Sequence, residues 1–214
     1  GTIEDDAVLT DGLPTVAYDA STILLNADGD MGLGPFAATP AVDGAPPAVI
    51  SITTGDNDGD GRLDRIVIQL SEEVDESLGA VTDIDDGVGL TVAGHAITTG
   101  SGALTAPAGE PWDGSGDAST TVYTLTIDET GFDTGVTPAV EYLSSAGMLS
   151  DASAADNQLA SWTSTQEVVT DGALPTLYQI TTNDVNDDGE IDKLLLKFSE
   201  AVTTAAEDPD VLDG

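Results

Sequence analysis

The run from Thr53 to Glu72, TTGDNDGDGRLDRIVIQLSE, returns later in the chain as TTNDVNDDGEIDKLLLKFSE, from Thr181 to Glu200. Each copy crowds acidic residues and glycine into a short stretch and then turns abruptly apolar. Superposing Asp56 on Asp184 sets an offset of 128 residues (184 less 56). At that offset Pro47 falls on Pro175, Ile52 on Ile180 and Leu63 on Ile191. In the apolar run Ile66, Ile68 and Leu70 fall on Leu194, Leu196 and Phe198, and Ser71-Glu72 falls on Ser199-Glu200. Both the acidic positions and the inward strand positions are kept, so the chain is a tandem of like units.

The junctions follow from the same comparison. Asp43-Gly44 and Asp171-Gly172 open DGAPPAV and DGALPTL, which read as short connections between units. Before them, LPTVAY (Leu13 to Tyr18) resembles TPAVEY (Thr137 to Tyr142), and Phe36 stands where Trp162 does. Residues 1–43 are then the C-terminal part of a preceding repeat, 44–171 one complete repeat, and 172–214 the N-terminal part of a following one. Within the units, RIVIQLSEEV sets Ile66, Ile68 and Leu70 on one face against Val67 and Gln69. TTVYTLTIDE alternates Tyr123, Leu125 and Ile127 with Val122, Thr124 and Thr126, a two-residue period. Long helical periodicity is missing. Short strands with turn signals about every ten residues predict an all-β chain of antiparallel β-sandwich repeats.

The acidic loops carry the chemistry. Counting from Asp56, side-chain oxygens fall at positions 1, 3, 5 and 9 (Asp56, Asp58, Asp60, Asp64), with Gly61 at position 6. The second loop offers Asp184, Asn186, Asp188 and Asp192 around Gly189. This is the opening of a calcium loop of the EF-hand kind. A hard cation takes six to eight oxygens at about 2.4 Å, so alternate side chains turn inward while glycine permits the sharp bend. The position 7 carbonyls, of Arg62 and Glu190, complete the predicted metal ligands. Position 12 is Val67 or Leu195 where the EF-hand has a bidentate glutamate, so the loop leads into a strand. About five ligands come from each loop, the rest being water or a carboxylate from elsewhere, with an expected affinity on the order of 10⁻⁴ to 10⁻³ M.

With these motifs, DNDGDGRLDRIVIQLSEEVD and DVNDDGEIDKLLLKFSEAV, the chain resembles the calcium-binding immunoglobulin-like repeats of large bacterial and archaeal surface proteins, of the adhesin or S-layer type. LTVAGHAIT (Leu90 to Thr98), LSDASAADNQLASW (Leu149 to Trp162) and TDGALP (Thr170 to Pro175) extend the likeness over essentially the whole chain. The family's compact loop is here the longer DASAADN from Asp151 to Asn157. The resemblance implies Ig-like sandwiches, an extracellular or cell-surface location, and a structural, non-enzymatic role stiffened by Ca²⁺. Partners are then neighbouring copies or domains of the same surface protein, or a glycan or other cell-surface ligand.

Composition sets the exclusions. Forty acidic residues against four basic ones leave a formal charge of −36, which repels nucleic acid and anionic membranes and attracts cations. With 40% apolar residues in patterned runs the chain is a folding one. There are no cysteines, so disulfides and thiolate sites are excluded. No apolar stretch approaches the roughly 18 residues of a membrane span. No nucleophile, zincin or phosphate-loop motif occurs, and His95, the one histidine, has no second imidazole with which to share a metal. The alternative is a carbohydrate-binding or spacer module of a secreted enzyme, centred on Trp112. The broken end repeats read as a piece of a longer array, with strand exchange between subunits as the second possibility. Head and tail together lack counterparts of residues 87–124.

Overall fold

Strand β4 (Arg65–Asp75) organises the fold, because its alternate side chains Ile66, Ile68 and Leu70 all turn into the interior. The structure, a computed structural model, describes residues 13–19, 24–29, 31–75, 89–98, 103–104, 120–147, 149–151, 156–164 and 169–203. Preceding β4 are β1 (Thr15–Tyr18), β2 (Phe36–Pro40) and β3 (Val49–Gly55). After it come β5 (Leu90–Val92), β6 (Ala103–Leu104), β7 (Thr120–Thr126), β8 (Val140–Tyr142), β9 (Ser150–Asp151) and β10 (Trp162–Thr163). β11 (Val169–Thr170), β12 (Leu177–Asn183) and β13 (Lys193–Phe198) follow. Among the described residues one four-residue helix, α1 (Ser144–Gly147), interrupts them. The protein is all-β. Among the described residues no helix is long and apolar enough to cross a membrane.

The described strands within 49–170 form two sheets. One has the order β11-β3-β4-β7-β6, with β9 pairing the far end of β4; the other is β10-β8-β5. The first contributes Ile52, Ile66, Ile68, Tyr123 and Leu125 to one apolar cluster, and the second contributes Leu90, Val92, Val140, Tyr142 and Trp162. Leu149 and Leu159, between the sheets in sequence, join the same cluster. Each such burial stabilises the fold by about 1.5–3 kcal/mol, so this shared core is what holds the unit together.

One pairing departs from the antiparallel expectation. β11 lies parallel to β3, with Val169 opposite Ile52 and Thr170 opposite Thr53. The cause is geometric: β3 brings the chain in at one end and β11 takes it out at the other, so neighbours in the sheet must run the same way. Their contact is close. A Cβ on Gly172, just past β11, would stand 2.3 Å from Thr53 Cγ2 and 2.7 Å from the Thr54 carbonyl.

The flanking segments repeat parts of this unit. β12 and β13 pair with Ile180 opposite Leu196 and Thr182 opposite Leu194, as β3 and β4 pair Ile52 with Ile68 and Thr54 with Ile66. Even the register irregularity recurs, after Leu177 and after Val49. β1 and β2 place Tyr18 opposite Phe36, as β8 and β10 place Tyr142 opposite Trp162. The ring pairs match as well, with centroids 6.1 Å and 6.3 Å apart.

Candidate metal centre

The Asp56–Asp64 loop connects β3 to β4 and is wound by its own carboxylates. Asp56 accepts the backbone N–H of Gly59 at 2.7 Å on one oxygen and of Gly61 at 2.8 Å on the other. Asp58 accepts from the Asp60 N–H, Asp60 from the Arg62 N–H, and Asp64 reaches back to the Asn57 N–H. Asp56, Asp58 and Asp60 thereby fold over the backbone that follows them, while Asp64 closes the loop onto its start. The chain can turn so tightly because Gly59 and Gly61 take φ of 74° and 93°, values that cost glycine nothing.

Oxygens of Asp56, Asp58 and Asp64 lie within 4.8 Å of one another, and so do those of Asp58, Asp60 and Glu129. Glu129 follows β7 and enters from outside the loop. It brings a carboxylate from outside the loop beside Asp58 and Asp60. Arg62, assigned through its carbonyl, donates from Nη1 to Glu129 at 3.0 Å and stands 3.9 Å from Asp60 Oδ2. Its guanidinium also lies over the Phe132 ring, 4.3 Å from the centroid.

The second loop repeats the winding. Asp184 accepts from the Gly189 N–H at 2.8 Å, Asn186 from the Asp188 N–H, Asp188 from the Glu190 N–H and Asp192 from the Val185 N–H. Gly189 and Asp187 occupy the left-handed region, φ 89° and 58°. Position 4 thus needs the same backbone in both loops, glycine in one and aspartate in the other. Here Asn186 replaces Asp58 and donates to Asp188 at 2.8 Å. Among the described residues this loop brings no three carboxylates as close as the first does.

Crowding shows in the ionisation. Asp60 is pushed up from the usual aspartate range by desolvation, then by Asp58 and Glu129. Asp64 is pushed up by desolvation, and Asp56 and Asp58 add to it against the stabilising Asn57 N–H. Asp184 goes the other way, held down first by the Gly189 N–H and then by further backbone donors.

A second acidic group lies at the junction and was legible only in part. Oxygens of Asp43, Glu72 and Asp151 converge within 4.8 Å, with Glu72 and Asp151 buried. The repeated Asp-Gly and Ser-Glu pairs were visible at the 128-residue offset, but nothing local says that they meet. Ser71 Oγ accepts the Ala48 N–H, and Ser199 Oγ accepts the Thr176 N–H, both at 2.9 Å. Asn157 donates to both oxygens of Asp151, from its backbone at 2.9 Å and its amide at 2.7 Å, so the first and last residues of DASAADN meet. His95 sits in the turn after β5, its Nδ1 3.0 Å from the Asp128 carbonyl. Trp112 lies outside the described residues.

Two groups of three carboxylates, Asp56 with Asp58 and Asp64, and Asp58 with Asp60 and Glu129, are each close enough together to hold a metal ion. The class defined by the architecture is an all-β protein with acidic, backbone-wound hairpin loops. No protein-family model, curated protein or solved structure matches the chain.

Proposed function

We propose that this chain is a calcium-stabilised structural protein of the cell surface, an S-layer, adhesin-stalk or filament component built from Ig-like β-sandwich repeats. The observation that carries the reading is the duplication: two loops, 128 residues apart, are wound by equivalent carboxylate-to-backbone bonds, each connecting the strands of a hairpin of the same register. A solvated acidic turn has no need to reproduce that winding. Bound Ca²⁺ neutralises carboxylates that otherwise repel, and so fixes how β3 and β4 enter the sheet. A loop with no position 12 glutamate suits the millimolar calcium outside cells. The role is mechanical and non-enzymatic.

The test is calcium titration followed by calorimetric melting at fixed ionic strength, on the parent and on Asp58→Ala/Asp60→Ala. A folded state that alone binds the ion gains about 2.7 kcal/mol at 100 times Kd, which raises Tm by roughly 10 °C for a unit of this size. The parent is expected to show that rise and the variant to lack it. Equal melting of the parent with and without calcium would overturn the reading and make the loop an acidic turn.

A further inference from the structure

We infer that the β3–β11 contact is a mechanical clamp, which holds the central unit folded under tension through Thr53, Thr54, Thr170 and Asp171. The chain enters this unit at Val49, the start of β3, and leaves it at Gly172, just past β11. Hairpins β1–β2 and β12–β13 flank the unit, so a pull on them passes through it. Because β3 and β11 run parallel, with Val169 opposite Ile52 and Thr170 opposite Thr53, the exit lies beside the far end of β3. Tension therefore draws β3 from its first residue and β11 from its last, in opposite directions along one axis. The strands can part only by sliding, which strains every cross-strand bond at once. Neighbours pulled apart at the same end would give up their bonds one at a time.

A two-residue strand offers few backbone bonds, and side chains supply the rest. Thr170 donates from Oγ1 to the Ile52 carbonyl at 3.1 Å and stands 3.3 Å from Thr53 Oγ1. Thr54 is buried; its Oγ1 accepts the Gly172 N–H at 3.3 Å and donates to Asp171 at 3.5 Å. Asp171 in turn accepts the Ala173 N–H at 3.1 Å, which fixes the chain as it leaves the sheet. Gly172 completes the fit, since a Cβ there would meet the Thr54 carbonyl at 2.7 Å. The bonds from Thr170, Gly172 and Thr54 all span the two strands, so sliding must break them together. The anchor is sound: β3 pairs with β4 from Val49 to Gly55, and Ile52 belongs to the core. β11 is the edge strand of that sheet and the one that tension would draw off. The inference deepens the mechanical role proposed above and rests on that reading, but not on calcium.

The test is constant-force unfolding of single molecules of the 214-residue chain. It has no cysteines of its own, so handles attach only where one is introduced. Handles at Val42→Cys and Leu174→Cys load β3 and β11 from opposite ends. Handles at Gly131→Cys and Leu174→Cys load the sheet across one end, because Thr126 of β7 lies level with Arg65 and Gly55. All three positions are exposed, and melting verifies that the core is intact. At equal load, the first rupture is expected at least about 100-fold later in the first geometry than in the second, since several bonds must fail together. In the first geometry Thr170→Val should rupture about 10-fold sooner than the parent, having lost its hydroxyl bonds. Ser161→Ala is the matched control: it removes the two bonds that Ser161 Oγ makes with Ser144, away from β3 and β11. Its lifetime should stay within about 2-fold of the parent's. Equal lifetimes in the two geometries would overturn the inference, as would a Thr170→Val chain that lasts as long as the parent or a Ser161→Ala chain that ruptures as early as Thr170→Val. The series is run in chelator and repeated in calcium. Calcium stabilisation is read separately by Tm, so either idea can fail without the other.

Discussion

At Gly172 the chain passes so close to Thr53 and Thr54 that no side chain fits, whereas a Cβ on Gly44, its counterpart 128 residues earlier, meets nothing within 4 Å. Gly172→Ala is therefore expected to lower stability by about 1–3 kcal/mol through forced displacement of β11 from β3, and Gly44→Ala to leave it nearly unchanged. Denaturant unfolding of the two variants checks this, and equal effects would contradict it. The repeated Asp-Gly pairs were readable as junctions, but which glycine is obligatory depends on a strand 118 residues away in sequence. Glu200 is a second case. Desolvation first, and then Asp171, raises its pKa above the ordinary glutamate value. Just above that ordinary value the folded state holds the proton longer than the unfolded state, so this group's contribution to stability falls as pH rises toward neutrality. With calcium chelated, melting temperature should decline over that window more steeply in the parent than in Glu200→Gln. Identical pH profiles would show that the pair carries no strain.

At the scale of elements, the loop and the strand after it are local objects, and local sequence described them well. The alternation of Ile66, Ile68 and Leu70 defined the buried face of β4, and the odd-numbered aspartates defined the turn. What joins the loop to its surroundings is not local. Arg62 lies over Phe132, Phe132 stacks on Tyr178 at 4.3 Å, and Gly61 abuts Ser199 and Thr176. The Asp56–Asp64 loop thus sits in the joint between the central unit and the β12–β13 hairpin. Phe132→Ala removes an aromatic pair of about 0.5–1.5 kcal/mol and a cation–π contact of about 0.5–1 kcal/mol. Amide exchange in β12–β13 is expected to accelerate about 5-fold or more while the core amides of β4 and β7 stay unchanged. A uniform change over both regions would mean that Phe132 supports the whole unit and not the joint. Glu129 belongs to the same lesson: a single acidic residue among forty carries no sequence signal, and only the return of the chain after β7 brings it to Asp58 and Asp60.

For the molecule as a whole, the −36 charge and the repeat act together, since tandem acidic units repel unless cations or neighbouring surfaces intervene. Sequence by itself determined the all-β class, the inward strand face and the winding positions of both loops. Those follow from side-chain period and turn chemistry, which act over a few residues. It also determined that the two hairpins are equivalent, because a 128-residue offset preserves their register. Tertiary structure alone decided the parallel placement of β11, the meeting of Asp43, Glu72 and Asp151, the arrival of Glu129 and the exposure of the end faces. Each of these depends on where distant strands lie once the two sheets close on one core. No local pattern encodes that position, because it is set by packing across the whole unit.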